Sequence, residues 1–161
     1  MTRKNYGRII KPAFLKQFYQ MDFGYGKIYE LKATNWYGGD FWFSSEKQEY
    51  ELKRIGFFDT KNLVKTKAGQ ELGYLKWGWM GLITYTELSG KVYTLKRKSI
   101  WSWERYWVDE QGKEVCRIVK SIKLFKTITE VEYDVNADVE FPVFMLWLGF
   151  IVMIKENQKA A

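Results

Sequence analysis

Histidine is absent from the 161 residues, and cysteine occurs once, at Cys116. Without histidine there is no Ser-His or Cys-His pair, no His-ligated zinc and no imidazole general base. A single cysteine allows no intramolecular disulfide, and a reducing compartment fits. Proline is confined to Pro12 and Pro142, so long disordered linkers are not expected. Gly-rich phosphate loops of the G-x-x-x-x-G-K and G-x-G-x-x-G types are missing, and FGYG (23–26) is too short to stand in for them. The opening MTRKNYGRIIKPAFLKQFYQ is basic but lacks an apolar stretch of about 7–15 residues, so no secretory signal is expected.

A bilayer-spanning run is missing too. The longest apolar run is FPVFMLWLGFIVMI (141–154), held between Glu140 and the pair Lys155–Glu156. Fourteen helical residues reach roughly 21 Å, and the hydrocarbon core is about 30 Å thick. The run is apolar on every face, which predicts a helix surrounded by protein. Asp138 and Glu140 place negative charge at its start, Pro142 is tolerable in a first turn, and Gly149 would let another element come close. The helix is expected over about 139–156.

What is present is charge, aromatics and alternation. The chain carries 26 Lys and Arg against 19 Asp and Glu, for a net charge of +7, with 8 Trp, 11 Tyr and 11 Phe. KIYELKA (27–33), FWF (41–43), QEYELKRIGFF (48–58), LITYTEL (82–88), VYTLKRKSIW (92–101), ERYWV (104–108), EVCRIV (114–119), SIKLFKTI (121–128) and EVEYDV (130–135) read as strands. SGK (89–91) and DEQGK (109–113) read as hairpin turns. No helical period precedes residue 140. A wall of strands closed around the apolar helix satisfies both patterns. Two segments also match at an offset of 43 residues: 50–76 lies over 93–119. Tyr50, Leu52, Lys53 and Arg54 fall on Tyr93, Leu95, Lys96 and Arg97, and Gly69 and Glu71 fall on Gly112 and Glu114. This predicts a structural repeat of strand, linker and hairpin. Residues 1–20 are expected as a basic N-terminal arm and 21–161 as a single barrel domain.

The Gly-turn hairpins AGQELGYL (68–75) and QGKEVCRI (111–118), the EVEYDV strand and the all-apolar terminal helix together resemble the tubby C-terminal-like fold. That fold is shared by tubby, the plant LURP-one-related proteins and the phospholipid scramblase-like proteins. The resemblance covers roughly residues 20 to 157. It implies a mainly β protein: a closed, mostly antiparallel barrel of about a dozen strands enclosing a hydrophobic C-terminal helix. Tubby binds phosphoinositide head groups on basic barrel residues. Nothing here copies that site residue by residue, so no ligand residue is carried over.

Four groups of residues are candidates for function. Lys53, Arg54, Lys96, Arg97 and Lys98 form a basic set at equivalent places of the two repeat units. Lys120, Lys123 and Lys126 extend it, as do Arg3, Lys4, Arg8 and Lys11. Residues 129–140 hold five acids and no base, which leaves 24 bases against 13 acids over residues 1–128. Such a surface suits lipid or another anion, although outward lysines also simply protect strand edges. The second group is aromatic: NWYGGDFWF (35–43), WGWMG (77–81) and WSWERYW (101–107). Trp and Tyr suit membrane interfaces, and alternate ones suit a packed barrel interior. WGWMG is the first choice for membrane or partner contact, through Trp77, Trp79 and Met80. The third is Cys116, expected as a small buried thiol. The fourth is Glu130, Glu132, Asp134 and Asp138, the first three on one strand face, expected as a solvated face.

The resulting expectation is a non-enzymatic binding module that uses no cofactor and no metal. It would dock on an anionic phospholipid or membrane surface, from the cytoplasm and peripherally at the inner membrane face. An accessory subunit of a larger protein complex is the alternative, and a lipid-modifying or hydrolytic enzyme is weaker. Nucleic acid is the least favoured partner.

Overall fold

A computed structural model of the chain describes residues 3–12, 17–35, 39–56, 60–99, 102–135 and 138–160. Period-two alternation sets the inward face of each strand. In the strand Glu49–Arg54, Tyr50 and Leu52 are buried while Lys53 and Arg54 are exposed. In Ile28–Ala33, Tyr29 and Leu31 are fully buried and Ile28 stays exposed. The strands are β1 (Lys4–Ile10), β2 (Phe18–Asp22), β3 (Ile28–Ala33), β4 (Phe41–Ser44), β5 (Glu49–Arg54) and β6 (Lys61–Thr66). They continue as β7 (Glu71–Trp77), β8 (Ile83–Glu87), β9 (Val92–Arg97), β10 (Glu104–Val108), β11 (Glu114–Lys123) and β12 (Lys126–Asp134), followed by one helix, α1 (Glu140–Ala160). Each strand pairs antiparallel with its sequence neighbours, and β1 closes the barrel on β12, from Lys4 opposite Asp134 to Ile9 opposite Thr129. The expected fold class holds: a closed twelve-stranded antiparallel barrel with a C-terminal helix.

The helix occupies the interior. Every residue from 142 to 155 is buried. Phe144 packs on Phe43, Tyr50 and Tyr85, and Phe150 packs on Tyr19. Trp107 Nε1 donates to the Met145 carbonyl at 2.8 Å, and Trp147 Nε1 donates to the Ser44 carbonyl at 3.0 Å. A Cβ on Gly149 would lie 2.8 Å from Ile118 Cδ1 and 3.0 Å from Trp107 Nε1, so the glycine lets the wall close on the helix. These contacts come from β2, β4, β5, β8, β10 and β11, which surround the axis. Burying each large apolar side chain stabilises by about 1.5–3 kcal/mol. Among the described residues no helix is long and apolar enough to cross a membrane.

The 43-residue repeat is structural. β5, β6 and β7 correspond to β9, β10 and the start of β11. The β6–β7 pairing shifts register between Val64 and Lys65, and the β10–β11 pairing shifts at the equivalent Trp107 and Val108. Thr66 N–H donates to the Gln70 carbonyl at 2.9 Å, and Asp109 N–H donates to Lys113 at 3.0 Å. Gly69 and Gly112 both take a positive φ in those turns.

Three expectations need correction. The segment 1–20 is not an arm, because Lys4–Ile10 is a wall strand paired on both edges and Phe18–Asp22 is the next one. SIKLFKTI is not one strand: the chain reverses at Leu124–Phe125, and Lys123 pairs with Lys126 across the turn. The helix runs past 156 to Ala160. Trp36, Tyr37 and Trp101 of the expected aromatic clusters lie outside the described residues.

Candidate functional site

The two ends of the barrel can be told apart by what grips the helix. At the start of α1, the Glu140 carboxylate accepts hydrogen bonds from Lys47 N–H and the Tyr50 hydroxyl, and Ser45 Oγ donates to the Glu140 carbonyl at 2.7 Å. At its other end, Lys155 Nζ donates to the Gly39 carbonyl at 3.0 Å and to Asn62 Oδ1 at 3.2 Å, with the Trp77 ring 5.8 Å away. Arg105 bonds Glu156 at 3.4 Å. Because the strands alternate in direction, the turns after β1, β3, β5, β7, β9 and β11 all lie at this second end.

Lys53, Arg54, Lys96, Arg97, Lys98, Trp77, Trp79 and Met80 all fall there. Lys53 and Arg54 end β5, Lys96 and Arg97 end β9, and Lys98 directly follows it. All five are exposed. Trp79 and Met80 sit in a single 3₁₀ turn, Trp79–Gly81, between β7 and β8. That turn lies between the two basic strand ends around the rim.

Within the set, the side chains divide. Arg97 pairs with Glu156 at 3.6 Å and Lys98 with Glu104 at 3.7 Å. Lys53, Arg54 and Lys96 form no ion pair among the described residues. Trp79 and Met80 project outward, 87% and 91% exposed. Trp77 turns in, is partly buried against the core and faces Lys155. It is therefore not on the contact surface with the other two. Lys120 extends the basic rim, its Nζ 5.6 Å above the half-exposed ring of Trp103. Lys11, Lys32, Lys61, Lys76 and Lys126 lie at this end too. Arg3 and Lys4 do not: Lys4 opens β1 at the far end and pairs with Glu114 and Glu132.

Charge is thus segregated. In the described turns of the second end and the strand residues beside them, the carboxylates are Asp40 and Glu104, with Glu156 from the helix, and all three are engaged. Asp40 Oδ1 accepts Arg54 N–H at 3.0 Å. At the opposite end the turns and strand termini carry Glu46, Glu49, Glu71, Glu87, Asp109 and Glu110 beside their lysines.

Two apolar elements of the second end gave no sequence signal. Leu124 and Phe125, 92% and 103% exposed, form the whole β11–β12 turn. Ile122 beside them is 60% exposed. A turn signal normally rests on Gly, Asn, Asp or Pro, and here there is none.

The remaining candidates are structural. Cys116 is buried, and burial followed by the nearby Glu114 charge pushes its thiol pKa up, away from a reactive thiolate. Glu132 sits on the outer wall in an ion-pair cluster with Lys4 and Arg117. No cluster of metal-ligating side chains occurs among the described residues. A cavity of about 390 Å³ at the helix-start end is lined by Tyr50, Tyr85, Phe144, Glu71, Glu87 and Glu140, among others. Burial raises the pKa of both tyrosines, so their hydroxyls stay protonated near neutral pH.

In comparisons with known proteins, no family model, no curated protein and no solved structure matches the chain.

Proposed function

We propose that this protein is a non-enzymatic binding module that docks one end of its barrel on an anionic membrane surface. Lys53, Arg54 and Lys96 would face phospholipid head groups, with Arg97 and Lys98 supplying further positive field. Trp79 and Met80 would enter the interface between head groups and acyl chains. One observation supports this above the others: the exposed apolar turn Trp79–Gly81 stands between two basic strand ends whose Lys53, Arg54 and Lys96 form no ion pair among the described residues, at the end where every described carboxylate is already engaged. A membrane attracts such a surface by about 1 kcal/mol for each well-placed Lys or Arg, and aromatic residues favour the interface. The cytoplasmic leaflet, which carries the anionic lipid, is the proposed face, with the protein peripheral to it. We further propose kinship with the tubby-like barrels, on the strength of the twelve-strand wall and the enclosed terminal helix.

Co-sedimentation with vesicles of phosphatidylcholine and phosphatidylserine tests this reading. Binding is expected at low salt, with loss in high salt and with phosphatidylcholine alone. Replacing Lys53, Arg54 and Lys96 by Ala should weaken it roughly fivefold for each residue. Equal binding to neutral and anionic vesicles, or none to either, contradicts it. A second reading rests on the same turn. Exposed Trp and Met with nearby Arg are also the residues enriched in protein interfaces, and would suit an accessory subunit. A stoichiometric co-purifying protein, lost on Trp79→Ala, would favour it.

A further inference from the structure

Three non-glycine residues of the described chain have positive φ: Met80 at 58°, Leu124 at 51° and Phe125 at 66°. The left-handed region is strained for side chains of this size, and Gly or Asn normally fills it. At the opposite end the chain follows that rule, with Gly69, Gly90 and Gly112 at the positive-φ positions of its hairpins. The strained residues share three properties: each is apolar, each is more than nine-tenths exposed, and each tops a turn at the basic end. Leu124–Phe125 is the sharper case. A two-residue link with both φ positive is the type I′ hairpin, whose preferred sequence is Asn-Gly. Strain held by a large exposed apolar side chain gains nothing for the folded barrel alone, so it points to contact with something outside the barrel.

The surroundings identify the occupant. Around the rim, the turn of Trp79 and Met80, the turn of Trp103 and the turn of Leu124 and Phe125 are consecutive. Leu82 and Ile122, both more than half exposed, stand beside the tips. Lys96, Lys120 and Lys126 lie on β9, β11 and β12 beside these turns, and Lys98 directly follows β9. Apolar tips standing beyond a cationic layer match a bilayer with anionic head groups, where apolar groups go past the charges into the acyl boundary. We infer that Leu124–Phe125, together with Met80, is a membrane-insertion wedge held in place by strained turns. The inference rests on the docking reading above and adds how the barrel sits: axis towards the membrane, helix C-terminus first.

The test is the double variant Leu124→Asn, Phe125→Gly, which supplies the residues a type I′ turn prefers. Its midpoint in chemical denaturation should equal or exceed that of the parent. Its affinity for vesicles with about 30% phosphatidylserine should fall at least tenfold, and what remains should stay salt-sensitive. Leu88→Asn, at an exposed apolar position of the opposite end, should leave binding unchanged. If the parent binds and the double variant binds equally well, the wedge is wrong and docking stands. If the parent does not bind, both fail. A double variant less stable than the parent overturns the strain argument, because the turn would then serve the fold.

Discussion

Asn62 and Arg105 hold the same place in the two repeat units, 43 residues apart, and they grip consecutive residues of the central helix. Each is the second residue of its strand, and each is buried, 0% and 8% exposed. Asn62 accepts from Lys155, and Arg105 bonds Glu156. The duplicated wall position thus fixes the depth and rotation of the helix at the basic end. A buried ammonium needs its acceptors, and a hydrogen bond to a charged group contributes about 1.5–3 kcal/mol. Asn62→Ala should therefore destabilise the barrel by about 2 kcal/mol in urea denaturation. A change below about 0.5 kcal/mol would show that the contact does not hold the helix.

Gly149 presents the opposite demand. In an isolated helix, Ala in its place would gain about 1 kcal/mol. Here the added Cβ meets Ile118 Cδ1 at 2.8 Å and Trp107 Nε1 at 3.0 Å, and Trp107 is fixed by its bond to Met145. Overpacking typically costs about 1–3 kcal/mol. Gly149→Ala should be neutral to about 2 kcal/mol destabilising, and Gly149→Leu should prevent folding. A soluble, cooperatively unfolding Gly149→Leu protein would contradict the enclosed position.

Alkaline pH should open the helix-start end. The Tyr25 hydroxyl lies 3.2 Å from that of Tyr29 and 3.3 Å from that of Tyr133, and Tyr29 donates to Glu46. Burial, then the bond to Tyr25, pushes Tyr133 from 10.0 up to about 12. Burial likewise raises Tyr29, Tyr50 and Tyr85. A phenol whose pKa is higher folded than unfolded stabilises the fold fully below pH 10 and loses that contribution as pH climbs through its folded value. Unfolding followed by tyrosinate absorbance should therefore begin above pH 10, and Tyr133→Phe should reduce the slope of stability against pH there. Stability flat from pH 8 to 12 would contradict this.

The parts legible in sequence were those with a strong period or run. Fourteen apolar residues between charges required an enclosing wall, and the matched Tyr-x-Leu-Lys-Arg segments did become equivalent strands. β1 was hidden because its inward positions include Gly7, where a Cβ would collide with the Phe23 ring at 2.6 Å, so the apolar alternation is broken. Lys155 read as a charge that ends the buried run, yet it is 1% exposed, because Asn62 and Gly39 reach it from distant strands. Leu124–Phe125 read as strand interior because Leu and Phe favour strands, and nothing local announces a turn. In the aromatic set, alternation would put Trp77 and Trp79 on one face; they separate because β7 ends at Trp77 and Trp79 lies in the 3₁₀ turn beyond it. That Lys53, Arg54, Lys96, Arg97, Lys98, Trp79 and Met80 share one end follows from strand direction, which the sequence does not state.

The proposed docking geometry is tested most directly by labels at the two ends. Cys116 is buried and its thiol is pushed up in pKa, so a maleimide dye should react only at an introduced surface cysteine. An environment-sensitive dye at Leu82→Cys and, separately, at Ser89→Cys reports opposite ends of the barrel. On adding phosphatidylserine vesicles at low salt, emission from the residue-82 label should shift to the blue and strengthen, while the residue-89 label stays unchanged. No response from either label, or the same response from both, would contradict docking through the basic end.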